Sequence, residues 1–262
     1  MTRVAVAALV LAAALPLAQA RADQLATIRT RGRLVVSVKN DANHPHKDPA
    51  HFDKRGFEVE LAHALAAKVV GDASKLELRM LARPVRLPML AAGNVDLVVS
   101  MIPVTPENAA LVDFSHPYFA SGLSLLVRGA AKPTLASLDG KTVAFRKQSF
   151  NDYGGELERL ARAHGVKVTV RYYQSIEKAA DAVTRGEAVA LGGNFVDLTA
   201  FAKDHAGFTV DSSLLEEREV AVAVKKGEPS LLAAVNGAVD ELRRSGALAR
   251  MSDKWHLPYL LP

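Results

Sequence analysis

From residue 34 onward, short apolar strands alternate with amphipathic helices twice over in the same order, which restricts the chain to α/β architectures. Residues 34–38 read as a strand. Residues 58–70 set Val59, Ala62, Leu65, Ala66 and Val69 on one helical face, and 76–80 alternate Leu76, Leu78 and Met80 with Glu77 and Arg79 as a strand does. A helix from about residue 85 to Gly93 and a strand at 96–100 complete the first unit. The order recurs in strand 142–145, helix 150–164, strand 166–172, helix 175–185 and strand 188–192. Strand 220–224 and helices 229–244 and 247–255 close the chain. Two α/β units are expected, each built on an open sheet.

An internal echo supports the division. Ala92-Gly93-Asn94-Val95-Asp96-Leu97-Val98 and Arg185-Gly186-Glu187-Ala188-Val189-Ala190-Leu191 share one grammar, a helix stopping at glycine before a buried strand. Either motif alone is ordinary; their equivalent positions in the two units give them weight.

The N-terminus reads as an export signal. Arg3 precedes an uncharged apolar run, residues 4–17, too short and alanine-rich for a membrane span, and small residues offer cleavage after Ala20 or Ala22. Residues 1–22 are thus expected to be removed and the mature chain released to the periplasm. No cysteine is present, which excludes a lipid-modified cysteine, disulfides and thiolate chemistry. Without Arg3 and Arg21, Lys and Arg fall from 33 to 31 against 28 Asp and Glu. That mild excess is scattered among acids, so no nucleic-acid footprint is formed. No low-complexity linker interrupts the mature chain, so any division into lobes runs through ordered chain.

Several segments resemble the bacterial extracellular solute-binding proteins of family 3, which bind polar amino acids. They are Gly56-Phe57-Glu58-Val59-Glu60-Leu61-Ala62, Ala92-Gly93-Asn94-Val95-Asp96-Leu97, Thr105-Pro106-Glu107, Val112-Asp113-Phe114-Ser115-His116-Pro117-Tyr118-Phe119, residues 135–143, Val235-Asn236 and Lys254-Trp255. Gly71-Asp72-Ala73-Ser74-Lys75 is similar to the aspartate/glutamate-binding branch. The resemblance implies a two-lobed type II periplasmic binding protein, with residues 23–124 and 222–262 in lobe 1, 125–221 in lobe 2, and crossing strands at 123–128 and 220–224. It implies a monomer that captures a small molecule and delivers it to the permease of an ABC importer. Ligands of such sheets sit beyond the carboxyl ends of strands. Lys39, Asn40, Ser100, Met101, Ile102, Arg146, Lys147, Gln148, Ser149, Gly193 and Asn194 are therefore candidate cleft residues.

Two departures from the family pattern concern the ligand. Relatives that bind α-amino acids usually carry an arginine after Thr-Pro-Glu, paired with the α-carboxylate, and an aspartate after a strand of the second lobe, paired with the ammonium. Here those positions hold Asn108 and Asn194. A buried ionic group without its counter-charge costs several kcal/mol, so the expected ligand is less zwitterionic than a standard amino acid. Thr105 also reads as a helix cap with Pro106 in the first turn, which gives Asn108 a local structural reading beside the binding one. Lys39 and Arg86 match positions that grip a side-chain carboxylate in the aspartate/glutamate-like branch, so at least one acidic group is expected on the ligand.

Residues 43–53 hold three histidines and two aspartates in a proline-stiffened loop. A metal site there lacks helical donor spacing. The family places a ligand-stacking aromatic in this loop, which makes His44 or His46 the expected flat ring over the ligand. Some proteins of this fold are dehydratases, and Lys39, His44, His46 and Glu58 could supply acid–base groups. Elsewhere no nucleophile elbow, phosphate loop or metal-ligand set occurs. The expectation is a binder without cofactor or metal; the alternatives are a cyclohexadienyl dehydratase-like enzyme and a ligand-sensing input to a receptor.

Overall fold

A computed structural model describes residues 23–39, 55–147, 152–211 and 213–258. The expected signal segment, the histidine-rich loop with His44 and His46, and Asn40, Gln148 and Ser149 lie outside the described residues.

The first unit runs α1 (Gln24–Arg31), β1 (Leu34–Lys39), α2 (Phe57–Val69), β2 (Leu76–Leu81), α3 (Arg83–Ala91), β3 (Leu97–Val98) and α4 (Pro106–Ala109), and β4 (Asp113–Arg128) leaves it. The second runs β5 (Lys141–Arg146), α5 (Tyr153–Ala163), β6 (Val168–Tyr173), α6 (Ile176–Thr184), β7 (Ala190–Asn194), α7 (Phe195–Asp204) and β8 (Phe208–Val210). Then β9 (Glu216–Val224) returns to the first, where α8 (Pro229–Arg244) and α9 (Ala247–Lys254) end the chain.

Local chemistry sets many of these boundaries. Asp23 caps α1 by accepting from the Leu25 amide, and Ser175 caps α6 by accepting from Lys178. Pro229 occupies the first turn of α8, where an amide would have no partner, and Arg243 and Arg244 face its negative end. The two echoed glycines follow α3 and α6 with φ of 78° and 74°, and each donates its N–H back into its helix, Gly93 to Leu90 and Gly186 to Val183. An L side chain is disfavoured at such angles, which is why glycine stands at both helix ends.

Among the described residues one continuous sheet runs β2-β1-β3-β9-β4-β7-β5-β6, with β8 pairing β4. Each half has three parallel strands, β2-β1-β3 and β6-β5-β7, flanked by an antiparallel partner, β9 or β4. The halves meet where β4 and β9 pair antiparallel, from Asp113 opposite Val224 to Leu123 opposite Glu216. A core containing Ile28, Leu34, Phe57, Leu65, Tyr118 and Val222 packs in the first half. Smaller cores, around Leu125, Phe145 and Leu157 and around Leu126, Leu191 and Leu198, pack on the second. Asp96, 3% exposed, accepts from the Val35 amide at 2.8 Å, from Gln24 and from Arg31, which ties α1 to the edge of β1.

The elements depart from the sequence expectation in several places. Strand 96–100 shortens to Leu97–Val98, although the Asp96 and Val99 amides still donate to β1 at Val35 and Ser37, and Met101 turns the backbone beyond it with φ of 48°. The seam strands are longer than 123–128 and 220–224. In β4, Pro117 breaks the apolar pattern, and register shifts on either side accommodate a residue without an N–H. Helices α1 and α7 and strand β8 have no counterpart in the sequence expectation. No helix among the described residues is long and apolar enough to cross a membrane.

Candidate functional site

The carboxyl ends of β1, β3 and β7 converge beside the seam and open a cleft of about 450 Å³. The first half contributes Lys39 from the end of β1, Arg83, Arg86 and Leu87 from α3, and the run from Ser100 to Pro103 with Asn108. The second half contributes Tyr153, Asn194, Val196 and Asp197, and the seam strands add Ser121, Gly122, Arg218 and Val220.

Four cationic side chains, Lys39, Arg83, Arg86 and Arg218, and one carboxylate, Asp197, line this space among the described residues. Arg86 is 5% exposed, and its Nε donates to the Leu81 carbonyl at 2.9 Å, which ties the side chain to the end of β2. Arg218 on β9 places Nη2 at 2.9 Å from Glu156 Oε2 and 3.2 Å from Glu216 Oε1. Burial pushes the Glu156 carboxyl up to about 7 against the pull of the Arg218 charge, and the neighbouring Glu216 adds to the rise.

Both asparagines face the cleft, and both have structural work. Asn194 caps α7, its Oδ1 accepting from the Val196 amide at 2.9 Å and from Ser121 Oγ at 3.2 Å, while its Nδ2 donates to the Tyr153 hydroxyl at 2.9 Å. Burial raises the Tyr153 phenol. Asn108 donates its side-chain amide to the Pro103 carbonyl at 3.0 Å, and Thr105 Oγ1 accepts from its backbone amide, as the capping reading expects.

Met101 is a non-glycine residue in the left-handed region, a conformation that costs of order 1–3 kcal/mol. Its amide donates to the hydroxyl of fully buried Tyr118 at 3.1 Å, and this bond holds the turn. Burial drives the Tyr118 phenol far up, so it stays neutral.

Of the residues expected at the site, Lys39, Arg86, Ser100, Met101, Ile102, Asn108 and Asn194 come together. Arg146 ends β5 with an exposed side chain and is not among the cleft residues. Arg83, Ser121, Tyr153, Asp197 and Arg218 join the cleft without having been singled out by the sequence. Asp197 lies three residues beyond Asn194 in the first turn of α7, a spacing a helix there would have signalled. Arg218 sits in Glu216-Glu217-Arg218-Glu219, where charge conceals a strand.

The family model for bacterial extracellular solute-binding proteins, family 3, matches residues 36–258. The chain is 25% identical over 238 residues to the ABC transporter glutamine-binding protein GlnH of Bacillus subtilis, covering 90% of this chain and 86% of that protein. A solved ancestral cationic amino-acid solute-binding protein superposes with a TM-score of 0.69 at 26% identity, over 88% of this chain and 99% of that one. A solved ancestral cyclohexadienyl dehydratase is similar at a TM-score of 0.62 and 27% identity, over 90% and 97%. These likenesses make the fold that of a type II periplasmic binding protein.

Proposed function

The chain belongs to the bacterial extracellular solute-binding proteins, family 3, and from that premise we propose that it is the periplasmic solute-binding component of an ABC-type importer, capturing a small carboxylate-bearing, amino-acid-like ligand. The observation that carries the reading is the cleft itself: both halves of the sheet line it, and among the described residues four cations line it beside one carboxylate. A cleft of that charge attracts acids, and Arg forks recognise carboxylates bidentately. An acidic ligand also agrees with the similarity of residues 71–75 to the aspartate/glutamate-binding branch.

Lobe 1 comprises 23–124 and 222–262, lobe 2 comprises 125–221, and the β4/β9 seam is the hinge. A ligand touching both lobes binds the closed state better than the open one and shifts the population toward it. The resulting closed form is what a permease would recognise. The protein works as a monomer and does not turn its ligand over, although the dehydratase likeness makes a turnover assay on cyclohexadienyl acids the natural control. A thermal-shift screen over dicarboxylates, amino acids and amides tests the ligand class, because a ligand at a hundred times its Kd stabilises by ~2.7 kcal/mol. Dicarboxylates are expected to raise Tm. Stabilisation by neutral amides alone would remove the acidic-ligand reading.

Residues 1–22 serve as a cleaved export signal. Intact-mass measurement of the periplasmic fraction is expected to find a chain starting at Arg21 or Asp23; recovery of a chain still beginning at Met1 would contradict export by this signal.

A further inference from the structure

We propose that Arg218 is the cleft's receptor for a ligand carboxylate and that the buried side chain of Glu156 is its internal competitor. This rests on the reading of the cleft as a site for acidic ligands, and it adds a specific partner and a regulation.

The geometry is that of a half-used fork. Both carboxylates that hold Arg218 meet one nitrogen, Nη2, whereas Nε and Nη1 make no hydrogen bond to any described residue. The Arg218 side chain is 29% exposed and lines the cleft. Glu156 is 4% exposed and enters from α5 beneath it, one turn beyond Tyr153. Its Oε1 is buried with no hydrogen-bond partner among the described residues. A carboxylate so placed is poorly compensated, and its hold on Nη2 is the main interaction that offsets its burial. Both edges of a guanidinium that take a carboxylate bidentately, Nε/Nη2 and Nη1/Nη2, include Nη2, so an incoming carboxylate would compete with Glu156 for that nitrogen and two anions would then share one cation.

Protonation of Glu156 relieves that conflict. Burial raises its carboxyl to about 7, the Arg218 charge opposes the rise, and Glu216 and Arg159 act on it more weakly in opposite senses. Tyr153 lies on the same helix and stays neutral because burial raises its phenol. From β6, Arg171 acts on Glu187; β7 carries no charged residue; Asp113, His116 and Arg128 of β4 lie toward that strand's ends. Above about pH 7 an ionised Glu156 keeps Nη2 and repels a ligand anion. Below it, Glu156 is neutral and the guanidinium charge is available. A bound carboxylate raises the Glu156 carboxyl further, so the complex binds more protons than the free protein and affinity rises as pH falls.

The test is calorimetry on the mature chain with succinate, glutarate and 2-oxoglutarate, from about pH 6 to about pH 8, in buffers of different ionisation enthalpy. Wild type is expected to bind roughly tenfold tighter at the acid end, with proton uptake. The near-isosteric Glu156→Gln is expected to remove the pH dependence and the proton uptake, and to bind at about pH 8 at least as tightly as wild type. Arg218→Ala is expected to weaken binding at least tenfold. Should that variant unfold, Arg218→Lys, which keeps the charge but not the fork, is expected to bind more weakly than wild type with Tm retained. A pH dependence that survives in Glu156→Gln, or carboxylate affinity unchanged by loss of the Arg218 fork, overturns this inference alone. Failure of every dicarboxylate to bind wild type at any pH overturns it together with the acidic-ligand reading.

Discussion

Gly122→Ala is expected to lower the stability of the fold by about 3 kcal/mol, a drop in Tm of roughly 6–12 °C for a chain of this size. Gly122 pairs with Glu217 in the β4/β9 seam, and its backbone approaches β9 closely. A β-carbon there would lie 1.9 Å from the Glu216 carbonyl oxygen, 2.9 Å from its carbonyl carbon and 3.1 Å from the Glu217 α-carbon. All three are backbone atoms, so no rotamer change relieves the clash and the two strands must separate. Since these strands also join the halves that line the cleft, the same substitution should weaken ligand binding. Thermal denaturation with and without ligand reads both effects; a variant melting within a degree or two of wild type would mean that the strands can part at little cost.

The second large effect expected is a gain. Wild type should bind standard L-α-amino acids poorly, and Asn108→Arg combined with Asn194→Asp should improve that binding by up to ~3 kcal/mol more than the two single changes predict when added. The guanidinium introduced by Asn108→Arg would supply a bidentate partner for the α-carboxylate, and the carboxylate introduced by Asn194→Asp an acceptor for the ammonium. Asn194→Asp would keep the cap on α7, since the Val196 amide and Ser121 hydroxyl both donate to the Oδ1 position. The Tyr153 hydroxyl, which now accepts from Asn194 Nδ2, would have to turn and donate. Asn108→Arg gives up the bond to the Pro103 carbonyl, so either single change should cost affinity or stability and only the pair should return it. A double-mutant cycle by calorimetry with L-glutamine and L-arginine measures the coupling. Strictly additive changes, or micromolar binding of these amino acids by wild type, would show that other groups already grip the zwitterion.

The amino-acid sequence determined what depends on neighbours along the chain. Hydrophobic period and helix-stopping glycines place β1, α2, β2, α3 and the matching elements of the second unit, because those signals are local. Once two open α/β sheets are expected, the rule that ligands bind beyond strand ends selects Lys39, Ser100, Met101 and Asn194, all four of which line the cleft. Arg146 obeys the same rule and is not at the cleft, since strand ends fix only a candidate's side of the sheet, not which ends converge.

The tertiary structure decided the seam and, with it, the rest of the site. Pro117 masks β4, and a run of four charged residues masks β9; each becomes a strand by pairing with the other about a hundred residues away, a contact no local window contains. Arg218 enters the cleft only because that pairing sets it opposite Ser121. Glu156 approaches it because α5 packs beneath, so the contest between a buried carboxylate and a ligand for one guanidinium belongs to the fold and is written in no single segment of the chain.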